Sequence, residues 1–516
     1  MVKSFFKKYL FRHSSPSTAY WPKPRDSDGV DWRERGAPSL PFDVYLEIAE
    51  FIEPQAASDL LALASASQAI YNLLLPVLYR RVNLHSSREC HSTLELISRR
   101  PELASCILEL TVHPHEQDDL DVSRKIEHLA SQLTSLRVFN WNGAELPQSD
   151  TIWRALRTSC PKLRSISTPA TYRSPTTGVV EIMPPDSHLY DFKNLSSFTL
   201  VFQTRQSGRR LPVDDQPVSL PSKFWEMILH ESPNLEQLHF QAQQTRPIIM
   251  VPLLTGRFPN LHSLTLGDLY YPSSVDDDSD VHQPLTEFLT AHHSLSQLIL
   301  LGSTSVWNPW RFPIPHPTLL QVHQFSADVE FVLRHGRSLG HVTRLCLNAL
   351  PTYFEAPWDH VLKPMVSLTS LKVIAGTSNR LLYFIDNCAP LSHLEIERLE
   401  NPPTAKTMKS ISAVLKSPNL ASLRTLVLGF GNSTLEKWVD HDMQAHARRV
   451  FRAIPRLGTL TLKYSNFRPG FSDILLQQGV FERSLLDDTI AVREVSYVHG
   501  HAAAKRYRLP QRSFLG

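Results

Sequence analysis

The residues able to carry out bond chemistry are scattered along this sequence without a recognisable catalytic spacing. The five cysteines stand singly, form no C-x-x-C pair, and the 23 histidines show no repeated ligand spacing. No glycine-rich phosphate loop, H-E-x-x-H or G-x-S-x-G motif is present. The acidic run Asp276–Asp280 lacks the spaced acceptors, turn glycine and terminal glutamate of an EF-hand calcium loop. We therefore predict a non-catalytic chain that holds no metal and no cofactor.

The composition narrows the classes of partner and the compartment. A net charge of +3 over 516 residues, with 20% charged residues, gives no overall field that would attract nucleic acid. Unpaired cysteines, odd in number, indicate a reducing intracellular compartment. The 38 prolines concentrate between apolar runs, as expected of loop residues in a repetitive chain.

A unit of the form Leu-x-x-Leu-x-Leu, often preceded by proline, recurs along most of the chain. Its two clearest copies, Pro233–Phe240 and Pro259–Leu266, are nearly identical in pattern. Successive copies begin 23 to 47 residues apart, so the repeats are degenerate and interrupted by loops. The other copies begin at Leu136, Leu163, Leu195, Leu295, Val342, Leu368, Leu391, Leu423 and Leu457, with a first copy around Ile107–Leu110 and a weak last strand at Val492–Val498.

Each copy predicts a short β-strand with one buried face. The last two leucines are two residues apart, so both point to one side of a strand and the residue between them points to the other. Between copies lie helical stretches, Ser222–Glu231, Thr404–Lys416 and Gln444–Ala453, which are long enough to return the chain to a parallel strand. The sequence therefore predicts an α/β protein: a small N-terminal all-helical part, then a horseshoe-like solenoid of leucine-rich repeats. Another parallel α/β fold is the alternative.

The residues between the leucines form the predicted binding surface, because the strands of such a solenoid line one face. Their mixed charge suits a protein ligand better than a phosphate or a metal. Trp307 and Trp310 are added because they lie in an aromatic loop, and tryptophan is a common binding anchor. That loop could equally fold back as a lid on the repeats. The predicted substrate-binding residues are His239, Thr265, Arg344, Lys372, His393, Glu395, Trp307 and Trp310.

A different pattern precedes the repeats, between Ser39 and Leu84. Leu40-Pro41 and Asp43 open a run whose apolar residues share one helical face, and Ser58-Asp59 opens a second apolar run. The stretch closes with Leu75–Arg80. In order and spacing it resembles an F-box, the helical module that docks a protein onto the Skp-type adaptor of a cullin ubiquitin ligase, and its ending is similar to that of fungal F-box proteins. The alternative is a plain three-helix subdomain without a partner.

The resemblance implies partners and a role. An F-box protein of this kind is a non-catalytic substrate receptor in an SCF-type ubiquitin ligase complex, with a Skp-type adaptor and a cullin on one side and a protein substrate on the other. It would act in the cytoplasm, the nucleus or both. The residues that the resemblance assigns to adaptor binding are Leu40, Pro41, Val44, Ile48, Leu60, Leu61 and Leu63.

The expected organisation has four parts. Residues 1–36 are a basic, disordered leader, 37–84 the F-box, 85–500 the degenerate repeats and 501–516 a basic tail. For the leader, contact with a membrane surface and organelle targeting remain alternatives. A second functional hypothesis is a non-degradative repeat scaffold that assembles a complex, including at a membrane. A third is an enzyme with an unrecognised site.

Overall fold

The computed structural model divides the chain into two compact units, Met1–Phe198 and Thr199–Gly516. It describes residues 41–51, 57–65, 67–115, 118–173, 180–203, 219–243, 248–267, 269–270, 282–300, 319, 321–327, 331–333, 336–347, 361–374, 384–399, 411, 413–432, 443–466, 474–483 and 490–497. The predicted leader, Leu40, the acidic run, both loop tryptophans and the basic tail lie outside these residues.

The described part of the first unit opens with three helices that pack on one another and continues into parallel strands. Its helices are α1 (Phe42–Phe51), α2 (Ala57–Ala64), α3 (Gln68–Leu78), α4 (Ser87–Ser98), α5 (Pro101–Ala104), α6 (Asp119–Leu129) and α7 (Thr151–Ser159). Its strands are β1 (Arg81–Leu84), β2 (Glu109–Val112), β3 (Val138–Trp141), β4 (Ser165–Pro169), β5 (Thr171–Arg173) and β6 (Val180–Ile182), followed by the start of β7 (Ser197–Gln203). Strands β1 to β4 pair in chain order and in parallel, while β5 and β6 form an antiparallel pair.

The helices α1 to α3, called here the helical module, have a core of their own. Ala49, Leu60, Ala64 and Leu74 are its buried residues. Leu46, Leu63, Ile70, Tyr71, Val77 and Leu78 pack against them. Helix α3 begins after Ser67, whose hydroxyl accepts a hydrogen bond from the Ile70 amide at 3.1 Å and so caps the helix.

The second unit continues the pattern of parallel strands. Its fully described α-helices are α8 (Ser222–Leu229), α9 (Val251–Leu254), α10 (His282–Ala291) and α11 (Met443–Ala453). Its strands are β8 (Gln237–Gln243), β9 (Ile248–Ile249), β10 (Ser263–Leu266), β11 (Leu269–Tyr270), β12 (Gln297–Leu300), β13 (Gln324–Ala327), β14 (Arg344–Leu347), β15 (Ser370–Ile374), β16 (His393–Leu399), β17 (Thr425–Asn432), β18 (Thr459–Asn466), β19 (Ile474–Arg483) and β20 (Ile490–Tyr497).

The repeat motif builds the core of this second unit as three rows of apolar side chains. The first motif position, as in Leu235 and Leu261, is buried just before each strand, and the other two are buried within it. Because the strands are in register, equivalent residues stack on their neighbours, as Leu238, Leu264 and Leu298 do. The predicted leucine-rich-repeat α/β fold is confirmed. The middle row consists of Leu238, Leu264, Leu298, Phe325, Leu345, Leu371, Leu394, Leu426, Leu460 and Phe481, each at most 2% exposed.

The structure adds two repeats that the leucine pattern missed. Strand β13 lies between the copies that begin at Leu295 and Val342, and its motif positions are Val322, Phe325 and Ala327, none of them leucine. Strand β1 follows the helical module directly and pairs in parallel with β2. Its motif positions are Tyr79, Val82 and Leu84, all buried.

At its C-terminal side the sheet changes to antiparallel pairing, because β19 runs opposite to β18 and β20 runs opposite to β19. The weak strand predicted at Val492–Val498 is present as β20, but β18, β19 and β20 pair antiparallel. Of the predicted helices, those after Ser222 and Gln444 are confirmed as α8 and α11, whereas most of Thr404–Lys416 lies outside the described residues. In the described part of the chain, every helix is too short or too polar to cross a membrane.

Candidate protein-binding face of the repeats

One face of the second unit's sheet carries polar side chains in ordered rows. The two residues that flank the middle leucine of each motif point away from the leucine core, and parallel register aligns them from strand to strand. Arg344 on β14 is thus paired with Ser370 on β15, and Ser370 with His393 on β16. Two residues further along the strands, Lys372 and Glu395 are aligned in the same way. All described members of the predicted substrate-binding set lie on this face.

On strands β8, β10 and β12 the polar side chains of this face bind one another. The His239 ring and the Thr265 hydroxyl are 2.7 Å apart, and the Ser263 hydroxyl donates to the Gln297 side-chain oxygen at 3.1 Å. Thr265 is only 1% exposed and Ser263 only 3%. Burial, with a contribution from the nearby His262, lowers the pKa of His239, so this imidazole is neutral at pH 7. The expectation of an exposed Thr265 is therefore wrong, because its hydroxyl is used within the protein.

On strands β15, β16 and β18 the face carries four charged side chains that form one network. Lys372 Nζ lies 3.0 Å from Glu397 Oε1 and 3.6 Å from Glu395 Oε1. Lys463 Nζ lies 2.9 Å from Glu395 Oε1 and 3.8 Å from Glu397 Oε1. Two lysines and two glutamates balance in charge. We call Lys372, Glu395, Glu397 and Lys463 the charged quartet.

The pKa shifts in the quartet show that pairing outweighs burial. Burial alone would lower the pKa of Lys372, but its hydrogen bond to Glu397 and the carboxylate charges raise it. Burial would raise the pKa of Glu395, which is 16% exposed, yet the Lys463 hydrogen bond and the two lysine charges lower it. Lys372 and Glu395 are therefore ionised at pH 7, and the network is held by charge-assisted hydrogen bonds.

Lys463 reaches the quartet across an intervening strand. It belongs to β18, Glu395 belongs to β16, and β17 lies between them. The β17 residue paired with Lys463 is Gly429, and Glu395 is paired with Val427. Because glycine has no side chain, the lysine can cross the strand at this point without a steric obstacle.

Among its described residues the face offers binding groups, but it offers no activated thiol and no metal centre. Burial raises the pKa of the Cys346 thiol, which keeps it protonated and unreactive at neutral pH. Within the described residues no group of three or more His, Cys, Asp or Glu side chains is arranged to hold a metal ion. The arrangement can recognise a surface by charge and hydrogen bonding.

The helical module divides the predicted adaptor-binding residues into two groups. Leu60 and Leu63 belong to its core or pack against it, so they support the module itself. Pro41 and Ile48 are exposed, and the structure leaves Val44 and Leu61 half-buried. Leu40 lies outside the described residues, as do Trp307 and Trp310 of the substrate-binding set.

The sequence prediction missed Glu397 and Gly429. Glu397 lies beyond the last motif leucine equivalent, Ile396, in a strand that is longer than the motif. Gly429 likewise follows the motif on β17. A count of strand alternation beyond the motif would have placed Glu397 on the same face as Glu395, but nothing in the sequence indicates the crossing of Lys463.

The fold and this face define a leucine-rich-repeat protein with a helical module at its N-terminal side. No protein-family model matches the chain, and no curated protein matches it. Among solved structures it is similar to a chain of the crystal structure of the Rad7 and Elc1 complex in yeast, with 14% sequence identity and a TM-score of 0.37. The match covers 76% of this chain and 93% of that chain. A likeness this distant carries no functional argument.

Proposed function

We propose that this chain is the substrate-receptor subunit of an SCF-type cullin ubiquitin ligase. The helical module binds a Skp-type adaptor and, through it, a cullin, while the repeats bind the protein to be ubiquitinated. The observation that carries the proposal is Ile48: the stretch that resembles an F-box forms a small helical bundle, and its core leaves this isoleucine 38% exposed.

The exposed residues of the module support an apolar contact with a partner. Val44 lies one helical turn before Ile48 on the same side of α1 and is half-buried. Pro41 is exposed immediately before α1, and its carbonyl accepts a hydrogen bond from the Val44 amide. Apolar side chains that are uncovered together on one surface, rather than singly, mark the contacts that interfaces use. The adaptor is the occupant that the F-box resemblance assigns to them.

The proposed contribution of this chain is proximity rather than bond chemistry. A substrate held on the repeats is brought close to a conjugating enzyme that is recruited separately through the cullin. Such tethering raises the effective concentration of the substrate's lysines at that enzyme. The proposed place of action is the cytoplasm, the nucleus or both, where cullin ligases work.

The test is co-purification of the adaptor with the Ile48→Glu variant of the full chain. A carboxylate at the centre of an apolar contact loses its hydration without a partner, so we expect adaptor binding to fall by at least about tenfold. Val366→Glu is the matched control, because Val366 is 76% exposed in the second unit and distant in sequence from the module. Equal adaptor recovery from both variants would contradict the proposal.

A deletion experiment needs the boundary that the strand pairing suggests. Removal of residues 39–84 would delete β1 together with the module and expose the edge of β2. We therefore propose that the module ends at Leu78 and that deletions stop there. If the adaptor binds the intact chain but no bound protein lives longer after this deletion, the non-degradative scaffold replaces the receptor role.

A further inference from the structure

A row of hydrogen-bonding side chains crosses six neighbouring strands of the second unit. It lies beside the charged quartet, at the first polar position of each strand, and the strands pair in register. Called the donor row, it consists of Gln324, Arg344, Ser370, His393, Thr425 and Thr459.

The donor row differs from its surroundings in having unused hydrogen-bonding groups. Within the described part of the chain, none of its six side chains has a hydrogen-bond or ion-pair partner, and all six are at least partly exposed. The quartet beside it is fully paired, and the polar groups on β8 and β10 bind one another. A partner that meets this face can therefore form new hydrogen bonds mainly along this row.

The charge along the row is positive. Arg344 is exposed, and its charge is not balanced by the neutral quartet. Burial lowers the pKa of His393. The Glu395 charge raises it, and the charges of Arg344, Lys372 and Lys463 lower it. Arg344, which has no ion-pair partner among the described residues, favours an anionic ligand beside the row.

The dimensions of the row suit an extended segment of polypeptide. Neighbouring strands are about 4.8 Å apart, so six strands span about 24 Å. An extended chain of about seven residues covers that length. The guanidinium, amide and hydroxyl groups of the row are donors that match carboxylate oxygens.

We propose that the donor row binds an extended acidic segment of a protein, with a glutamate or aspartate carboxylate at Arg344 and His393. This inference deepens the proposed function and rests on its premise that the repeats bind a protein. It places recognition on β13 to β18 of the repeats rather than on β8 and β10, where the polar groups are already paired.

The test uses the full chain and a labelled peptide of about seven residues with alternating glutamate and serine. The matched peptide carries glutamine in place of glutamate. We expect the acidic peptide to bind more tightly and to lose affinity as salt is raised, because charge attraction across partly exposed groups is screened. Arg344→Gln should weaken its binding by about two- to fivefold, the upper part of the range for an exposed ion pair.

The control variant is Arg449→Gln, which removes the same charge from an exposed position on α11. Equal loss in both variants would overturn the proposal, as would equal binding of the two peptides or no binding up to about 1 mM. Binding of a phosphoserine peptide alone would overturn the carboxylate assignment. Adaptor recovery is measured in parallel, because the Arg344→Gln variant should retain it whether or not the donor row binds peptide.

Discussion

His292 joins two neighbouring elements through a ring that must be neutral. It is 1% exposed, its Nε2 accepts a hydrogen bond from the Phe258 amide at 3.0 Å, and its Nδ1 donates to the Phe288 carbonyl. Protonation at Nε2 would remove the first bond. Burial is the main cause that lowers the pKa of His292. The hydrogen bond to the Phe288 carbonyl acts in the opposite direction, and the nearby Arg257 lowers the pKa further.

Acidification should therefore destabilise the protein through His292. The folded-state pKa lies below the ordinary value of 6.5, so the unfolded chain takes up the proton first. The stabilisation is present above pH 6.5 and is lost as the pH falls below it. Between pH 7.5 and 5.5 the unfolding free energy of the parent chain should fall by about 1 kcal/mol more than that of His292→Gln, as measured by urea denaturation. In the variant the glutamine side-chain oxygen can still accept a hydrogen bond from the Phe258 amide.

The same comparison has a clear contrary outcome. If His292→Gln and the parent chain lose equal stability between the two pH values, other histidines account for the acid sensitivity. His113, His239 and His393 serve as the reference set, since burial lowers the pKa of each.

At the residue scale, strand alternation predicts on which face of the sheet a side chain lies, but not which other side chains it contacts. Arg344, Lys372, His393 and Glu395 were placed on the polar face by strand alternation alone. The burial of Thr265 could not be predicted, because it depends on the His239 ring from the neighbouring strand. Side chains 68 positions apart, such as Lys463 and Glu395, meet only through the stacking of three repeats.

At the scale of elements, Gly429 on β17 lies between Lys463 on β18 and the glutamates of the quartet on β16. Gly429→Val would place a branched side chain on the path from Lys463 to Glu395. We expect a loss of about 0.5 to 1 kcal/mol in unfolding free energy, the range for a partly exposed ion pair. Thr425→Val is a control, because it places the same valine side chain on the same face of β17, away from that path, in exchange for a side chain of similar shape.

A double-mutant cycle separates loss of the ion pair from general strain. If Gly429→Val displaces the lysine, a further Lys463→Gln change should cost little, whereas in the parent chain it should cost the full pair energy. Additive costs would show that Lys463 does not depend on Gly429.

The elements that were predicted correctly share a strong leucine signal, and those that were missed do not. Leu235-x-x-Leu238 and its equivalents identified strands by period and composition. Strand β13 has valine, phenylalanine and alanine at these positions. Strand β19, which runs opposite to β18, was missed because its sequence contains no copy of the leucine motif.

At the scale of the whole chain, the helical module and the first repeat are joined by two residues. Helix α3 ends at Leu78 and β1 begins at Arg81. Tyr79 is 7% exposed. The next residue, Arg80, already takes part in the sheet, because its carbonyl accepts hydrogen bonds from the Leu108 and Glu109 amides. The sequence assigned Tyr79 only to the F-box ending, although it also fills the first motif position of β1.

A flexible Gly-Ser segment inserted between Leu78 and Tyr79 tests this joint. We expect adaptor binding and thermal stability to change little, while ubiquitin transfer to a bound substrate becomes slower and spreads over more lysines. Mass spectrometry of the modified lysines is the measurement. The same segment placed before residue 40 leaves the joint intact, and an identical lysine pattern from both insertions would contradict the expectation.

The short joint means that the module and the first repeats have almost no slack between them. A flexible linker lets its two ends explore a volume that grows with its length, so that encounters are sampled by diffusion. Tyr79, anchored in the repeat core while it ends the helical module, fixes the direction of departure instead. If a bound adaptor fixes the orientation of the module, the short joint fixes the orientation of the first repeats as well. The position of the first repeats relative to the module is then set by this joint and not by random motion.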